Sequence, residues 1–164
     1  MTEQPGAGQS GAEQSGTPQP QADLRWLREA IELSRRCPPS ESAFCVGAVL
    51  VSGAGLLIAT GYSRELDPKD HAEEVVLVKA AGDPRLTGAT LYSSLEPCLT
   101  RASRPRSCAE LIVAAGIPRV VIAWLEPPLF APGGGAAELR RAGITVDEIP
   151  WLAELARSVN AHLL

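Results

Sequence analysis

The sequence predicts an α/β protein in which a mixed sheet of about five strands carries helices on both faces, giving three layers, α/β/α. Three observations predict it. The chain has 164 residues, the size of one domain with a core of its own. Its folded part opens with two short apolar, β-rich runs, and helical and strand patterns alternate after them. Glycines stand where the helical patterns stop, at Gly82, Gly116 and Gly143.

Residues 1–22 consist almost wholly of Gly, Ser, Gln, Glu, Pro, Thr and Ala. Such a segment buries too little apolar surface to offset its ordering entropy, so a disordered tail is expected there and one folded domain over 23–164. Asp23 reads as an N-cap, and Leu24, Leu27 and Ile31 recur at helical spacing, which predicts a helix to about Arg36 ahead of Pro38-Pro39. Strands are expected over 45–51 and 56–62, joined by the turn Ser52-Gly53-Ala54-Gly55. A helix over 71–81, a strand over 89–93 and a helix over 108–115 follow. Then come a buried strand over 120–124, a helix over 136–142, a strand over 144–149 and a last helix over 150–163. No internal repeat is present.

Composition narrows the function classes. Apolar residues make up 45% and charged residues 21%, as in ordinary globular proteins. The net charge of −4 leaves no basic footprint of the kind polymeric nucleic acid requires, although a small nucleotide stays open. No apolar run approaches the roughly 20 residues of a membrane span. The first residues lack the pattern of a signal peptide, so a cytoplasmic location is expected, where thiols stay reduced. Four cysteines there read as metal ligands or small buried residues before they read as disulfides.

Three stretches carry the chemistry: His71-Ala72-Glu73, Pro97-Cys98 and Cys108. One imidazole and two thiolates form a neutral ligand set for Zn2+ and leave a fourth position for water, the mark of a catalytic rather than a structural site. Cys37, Cys45 and His162 belong to other elements and offer no fourth ligand. His71 and Cys108 each begin a helix, where the positive dipole end favours a thiolate. Glu73, two residues after His71, reads as the catalytic acid and base, able to take a proton from water and pass it on. The bland alternative is a capping histidine and two core cysteines, and the strand-loop-helix setting of both stretches argues against it.

In these motifs the chain resembles the cytidine and deoxycytidylate deaminase superfamily, whose signature is His-x-Glu followed by Pro-Cys and a second Cys. Within it, the chain is most similar to the deaminase domain of the bacterial riboflavin-pathway deaminase-reductases. The similarity runs through Val46-Gly47-Ala48-Val49, Gly88-Ala89-Thr90-Leu91-Tyr92, Leu95-Glu96-Pro97-Cys98 and 111–121, and on through 139–146. It implies a three-layer fold, zinc at His71, Cys98 and Cys108, and Glu73 as proton shuttle. It further implies a hydrolase acting on a C–N bond of a cyclic amidine, with a pyrimidine or pyrimidine nucleotide as substrate. The first expectation is a diaminohydroxyphosphoribosylaminopyrimidine; a dCMP, cytidine or specialised-metabolism substrate is the second. A zinc-bound relative that binds a nucleotide or a protein without catalysis is the alternative of another class, and a structural zinc domain is a further one. Self-association fits this superfamily, which often builds its sites from neighbouring subunits.

The departures fall on substrate contacts. A Pro-Asn-Pro run usual before the first strand is replaced by Ser42-Ala43-Phe44-Cys45, and a histidine ahead of His71 by Ser63 or Arg64. The loop between the two cysteines, 99–107, is one residue longer than usual and contains Arg101, Arg104 and Arg106. Guanidinium groups pair with phosphate through parallel donors, so these three, with Ser63 and Arg64, are the candidate substrate contacts. Solvated surface arginines are the other reading of the three. Gly133-Gly134-Gly135 reads as a flexible turn, because it lacks the spacing of a phosphate loop.

Overall fold

A computed structural model describes residues 19–164, so most of the tail expected over 1–22 lies outside the described residues. The first helix, α1, spans Gln19–Ser34 and starts four residues ahead of the expected cap. Asp23 is therefore no N-cap. It lies within the helix, buried at 7% exposure, and its carboxylate accepts hydrogen bonds from Tyr92 (2.7 Å) and Arg119 (2.8 and 2.9 Å).

The remaining elements keep the expected order with shorter bounds. They are β1 (Gly47–Val51), β2 (Leu57–Tyr62), α2 (Ala72–Lys79), β3 (Thr90–Ser93), α3 (Cys108–Ala115), β4 (Arg119–Ile122), α4 (Gly135–Arg141), β5 (Thr145–Glu148) and α5 (Ala153–Val159). The last helix is not continuous over 150–163. Short 3-10 turns flank α5, because Pro150 opens the segment and the Asn160 side chain captures the Ala156 carbonyl at 3.2 Å. Helix α3 ends as its glycine predicts: Gly116 takes φ +73 and bonds back to Val113.

The sheet runs β2-β1-β3-β4-β5. Strand β1 is antiparallel to both neighbours, whereas β3, β4 and β5 are mutually parallel. Helix α1 packs on β1 and β3 and touches α5. Helix α2 packs on β2 and β1 and abuts α3, which abuts α4, so the helices form layers on the two faces. Fully buried strands supply the core: Val49, Leu50, Leu91, Val120, Val121 and Ile122 are each 0% exposed. Such strands read as continuous apolar runs rather than alternating ones. Parallel β3 and β4 both end on one edge of the sheet, and the loops leaving that edge build the site.

Candidate active site

Each chemistry-bearing side chain sits where an element begins or a strand ends. His71 is the N-cap of α2, with extended backbone, and Glu73 lies in the first turn behind it. Cys98 is in the loop after β3. Cys108 is the first residue of α3, held there by a capping box in which Ser107 accepts from the Glu110 N–H (3.2 Å) and Glu110 accepts from the Ser107 N–H (2.7 Å). Glu96 fixes the loop before Cys98: its carboxylate accepts the Ala136 N–H at 2.8 Å and the Glu126 N–H at 2.9 Å. Gly135 has a defined place rather than a flexible one. A Cβ on it would collide with the Pro97 carbonyl, so α4 begins pressed against the cysteine loop.

The three expected ligands converge. His71 Nδ1 lies 3.5 Å from Cys98 Sγ and 3.3 Å from Cys108 Sγ, and all three ligand atoms fall within 4.8 Å of one another. For tetrahedral zinc with Zn–S of about 2.3 Å and Zn–N of about 2.0 Å, the S···N edges come to roughly 3.5 Å. The donor set fits in charge as well. The Cys108 backbone N–H donates to Cys98 Sγ at 3.3 Å, and the neighbouring Cys108 and His71 side chains hold the Cys98 thiol down to about 4 against the opposing effect of burial. The neighbouring Cys98, with burial, raises Cys108. A divalent cation at this site would be held by both sulfurs as thiolates.

His71 and Cys98 open onto a cavity of about 350 Å³, the size of a small-molecule site, and Cys108 lies buried outside its lining. Glu73 lines it, is 3% exposed, and accepts the Ser93 hydroxyl at 2.8 Å. Burial raises its carboxyl above the ordinary value, and the cysteine charge adds to this, with His71 opposing. Phe44 and Phe130, edge to face at 5.0 Å, form an apolar wall, and Phe44 also packs on buried Trp124 at 5.4 Å.

The candidate substrate contacts are divided. Ser63 lines the cavity, but its hydroxyl bonds the Val46 N–H (3.0 Å) and carbonyl (3.3 Å). Arg64 and Arg101 line it too. Arg101 is pinned by Glu74 (3.0 Å) and the Lys69 carbonyl (2.6 Å). Arg104 and Arg106 are not brought to the cavity. Arg104 pairs with Asp67 (3.2 Å), Asp70 (3.0 Å) and Glu74 (3.4 Å), and Arg106 bonds the Glu110 carbonyl at 3.3 Å beside a groove between α3 and α4.

Glu126, outside the expected set, lies on the cavity wall. Its Oε2 is buried and has no hydrogen-bond partner among the described residues. Burial pushes it up to about 7, with the negative groups at Cys98, Glu96 and Glu73 adding to the rise. The signal for it was its place just past β4, on the sheet edge where ligands enter.

Fold and site together define an α/β/α domain whose zinc site opens to a small-molecule cavity. Residues 20–124 match the family described as cytidine and deoxycytidylate deaminase zinc-binding region. The chain belongs to that family. It is 42% identical over 126 residues to a diaminohydroxyphosphoribosylamino-pyrimidine deaminase of Schizosaccharomyces pombe, covering 75% of this chain and 31% of that one. It is 43% identical over 142 residues to the riboflavin biosynthesis protein RibD of Aquifex aeolicus, covering 84% and 37%. The chain thus spans about a third of the length of these relatives. Among solved structures, Acinetobacter baumannii RibD superposes with a TM-score of 0.72 at 32% identity over 87% of this chain and 39% of that one. The Aspergillus oryzae Rib2 deaminase in complex with DARIPP gives 0.73 at 26% over 84% and 89%. No helix among the described residues is long and apolar enough to cross a membrane.

Proposed function

We propose that this domain hydrolytically deaminates an aminopyrimidine, with the diaminohydroxyphosphoribosylaminopyrimidine named in its relatives as the first candidate substrate. One observation carries the reading: a buried carboxylate, Glu73, shares a cavity with His71 and Cys98, two of the three convergent zinc ligands, and forms no salt bridge among the described residues. Zinc held by His71, Cys98 and Cys108 would supply a Lewis acid that acidifies water at the site.

The chain's own groups then do the following. Glu73 accepts a proton from the attacking water and delivers it to the ring nitrogen as the new C–O bond forms. It next moves the remaining proton of that oxygen to the amino group, the C–N bond breaks, and the carbonyl product and ammonia leave. The Ser93 hydroxyl keeps the carboxylate aimed between strokes. Burial raises the Glu73 proton affinity towards the range in which one group serves as both base and acid. Phe44 and Phe130 offer flat apolar surface to a ring, and Glu126 offers an acceptor for ring or exocyclic N–H groups. Of the basic candidates, Arg64 and Arg101 line the cavity and so are the ones able to meet an anionic substituent.

A cytoplasmic location accompanies this reading, since the thiol ligands must stay reduced; self-association is a separate matter for gel filtration. The test is ammonia release by zinc-loaded protein from a panel of aminopyrimidines and their ribosyl phosphates. Turnover of at least one, lost in Glu73→Gln with zinc retained, supports deamination. Zinc-loaded protein that binds members of the panel and releases no ammonia would make this a non-catalytic binding relative.

A further inference from the structure

Cys37 and Cys45 take no part in the zinc cluster, yet they too are brought together. Cys37 follows the end of α1 and Cys45 precedes β1, with a largely exposed, irregular segment between them. Their sulfurs share one donor: Arg64 Nη2 lies 2.9 Å from Cys37 Sγ and 3.3 Å from Cys45 Sγ. They also share one acceptor, the Pro38 carbonyl, at 3.5 and 3.9 Å. Two sulfurs held by the same nitrogen and the same oxygen are neighbours.

Whereas Arg101 and Arg104 pair with carboxylates, Arg64 has none among the described residues. Its remaining partners are the carbonyls of Pro38 (2.7 Å) and Phe44 (3.3 Å). It is also the only non-glycine among the described residues with positive φ, +62, a conformation that a surrounding structure must impose. A cation with two carbonyls and two thiols around it lacks a counter-charge, and a thiolate would supply one. The groups facing Cys45 are Cys37, Arg64 and His162; the Cys37 hydrogen bond and the Arg64 charge bring Cys45 down to about 6 against burial, while Cys37 is raised. Asn160 clamps Cys45 from the far side, bonding its N–H at 2.7 Å and its carbonyl at 3.0 Å. Only Cys37, on the irregular segment, needs to move.

We propose that Cys37 and Cys45 form a redox-responsive thiol pair behind the cavity lining, reached through Arg64, which a peroxide closes to a disulfide, and that Arg64 activates it. The Cys45 thiolate attacks a peroxide oxygen, the O–O bond breaks, and the departing hydroxide takes a proton to leave as water. The resulting sulfenic acid is attacked by the Cys37 sulfur, an S–S bond forms, and the second oxygen leaves as water. Two thiols are oxidised by two electrons and the peroxide is reduced. Closure removes the anion beside Arg64, a residue of the cavity lining. The pairing itself stands apart from the deaminase reading, and only a consequence for substrate would rest on that reading.

The experiment treats zinc-loaded protein with hydrogen peroxide and maps its peptides. A Cys37–Cys45 crosslink, reversed by dithiothreitol with the zinc content unchanged, is expected. A crosslink through Cys98 or Cys108 with loss of zinc, or conversion of Cys45 to sulfinic acid without a crosslink, would overturn the proposal. Cys37→Ser, which leaves the clamped Cys45 in place, should abolish the crosslink. Arg64 is tested by the rate at which Cys45 is alkylated at neutral pH in the Cys37→Ser background. Arg64→Met should slow it about tenfold and Arg64→Lys should restore most of the rate, as expected for a thiolate held by charge. Equal rates in all three would remove Arg64 from the pair. None of these readouts uses deamination, so failure here leaves the deaminase reading untouched.

Discussion

The Ser93 hydroxyl, at the last residue of β3, donates to Glu73 Oε1 on α2 over 2.8 Å, inside a core where the two residues are 0% and 3% exposed. A central strand therefore fixes the orientation of a carboxylate carried by a helix. The bond favours the ionised form, whereas burial, the larger influence, favours the neutral one. Ser93→Ala should raise the Glu73 proton affinity and move the acid limb of kcat/KM to higher pH, with kcat lowered about tenfold. Glu73→Gln should lower kcat by about 10³-fold or more. Ammonia release across a pH series measures both; an acid limb that stays in place in Ser93→Ala would show that the hydroxyl does not tune the carboxylate.

Removal of a ligand should show first in the metal. Zinc analysis of purified protein is expected to give one ion per chain, and Cys108→Ser or His71→Ala should lose most of it. Ser107→Ala leaves the ligands intact but deletes half of a capping box, and should cost about 0.5–2 kcal/mol of stability. Because α3 begins at Cys108, frayed helix starts should also weaken zinc retention in a chelator competition.

At Gly135, even a methyl group is too much. Gly135→Ala places a carbon against the Pro97 carbonyl, one residue before a zinc ligand, and should destabilise by about 1–3 kcal/mol. Thermal melts of the zinc-loaded protein, compared with Gly88→Ala, where an added Cβ meets open space, test this. A loss confined to the apo form would mean that the metal overrides the clash.

The opposite end of the sheet depends on charge. Arg119 on β4 joins Asp23 of α1 (2.8 Å) and Asp147 of β5 (2.6 Å), and Tyr92 of β3 completes the cluster. Burial alone would raise Asp23, yet the hydrogen bonds from Arg119, Tyr92 and Gln19 prevail and its carboxyl is lowered below the ordinary value. A lowered carboxyl contributes stability that is complete above the unfolded value near 3.8 and fades as pH falls below it. Arg119→Leu strands that carboxylate and should cost about 2–4 kcal/mol at neutral pH, a difference that shrinks in acid. Denaturant titrations at pH 7 and pH 3 measure it.

Glu126 has the reverse sign. Its carboxyl is raised from 4.5 to about 7, so the folded state holds the proton more tightly, and stability falls as pH rises through that window. Glu126→Gln should therefore be more stable than wild type, by about 1 kcal/mol above pH 7 once solvent screening of a half-buried group is allowed for. The gain should vanish below pH 4.5. A variant that is less stable at high pH would show that the carboxylate has a partner the cavity does not reveal.

The sequence disclosed this architecture because its signals were local. Gly82, Gly116 and Gly143 mark helix ends in the chain itself, and His71, Cys98 and Cys108 are distinctive residue types at loop-helix junctions. What escaped depended on distant partners. Asp23 reads as a cap until Arg119, 96 residues away, is placed beside it. Arg101 and Arg104 of the 99–107 loop have carboxylate partners that lie 27 to 37 residues earlier. Phe44, Glu126 and Phe130 share no motif and meet only once the strands are ordered. The break at Asn160 depends on a side chain that also serves Cys45, 115 residues before it.

Those occupied arginines have a practical consequence. Exchanging the inter-cysteine loop for that of a relative would leave Asp67 and Asp70 facing new neighbours as unmatched anions near the mouth of the cavity. An engineer wishing to attract more acidic substrates would do better to neutralise these two aspartates, which removes negative charge beside the cavity, than to graft further arginines that the same carboxylates would capture.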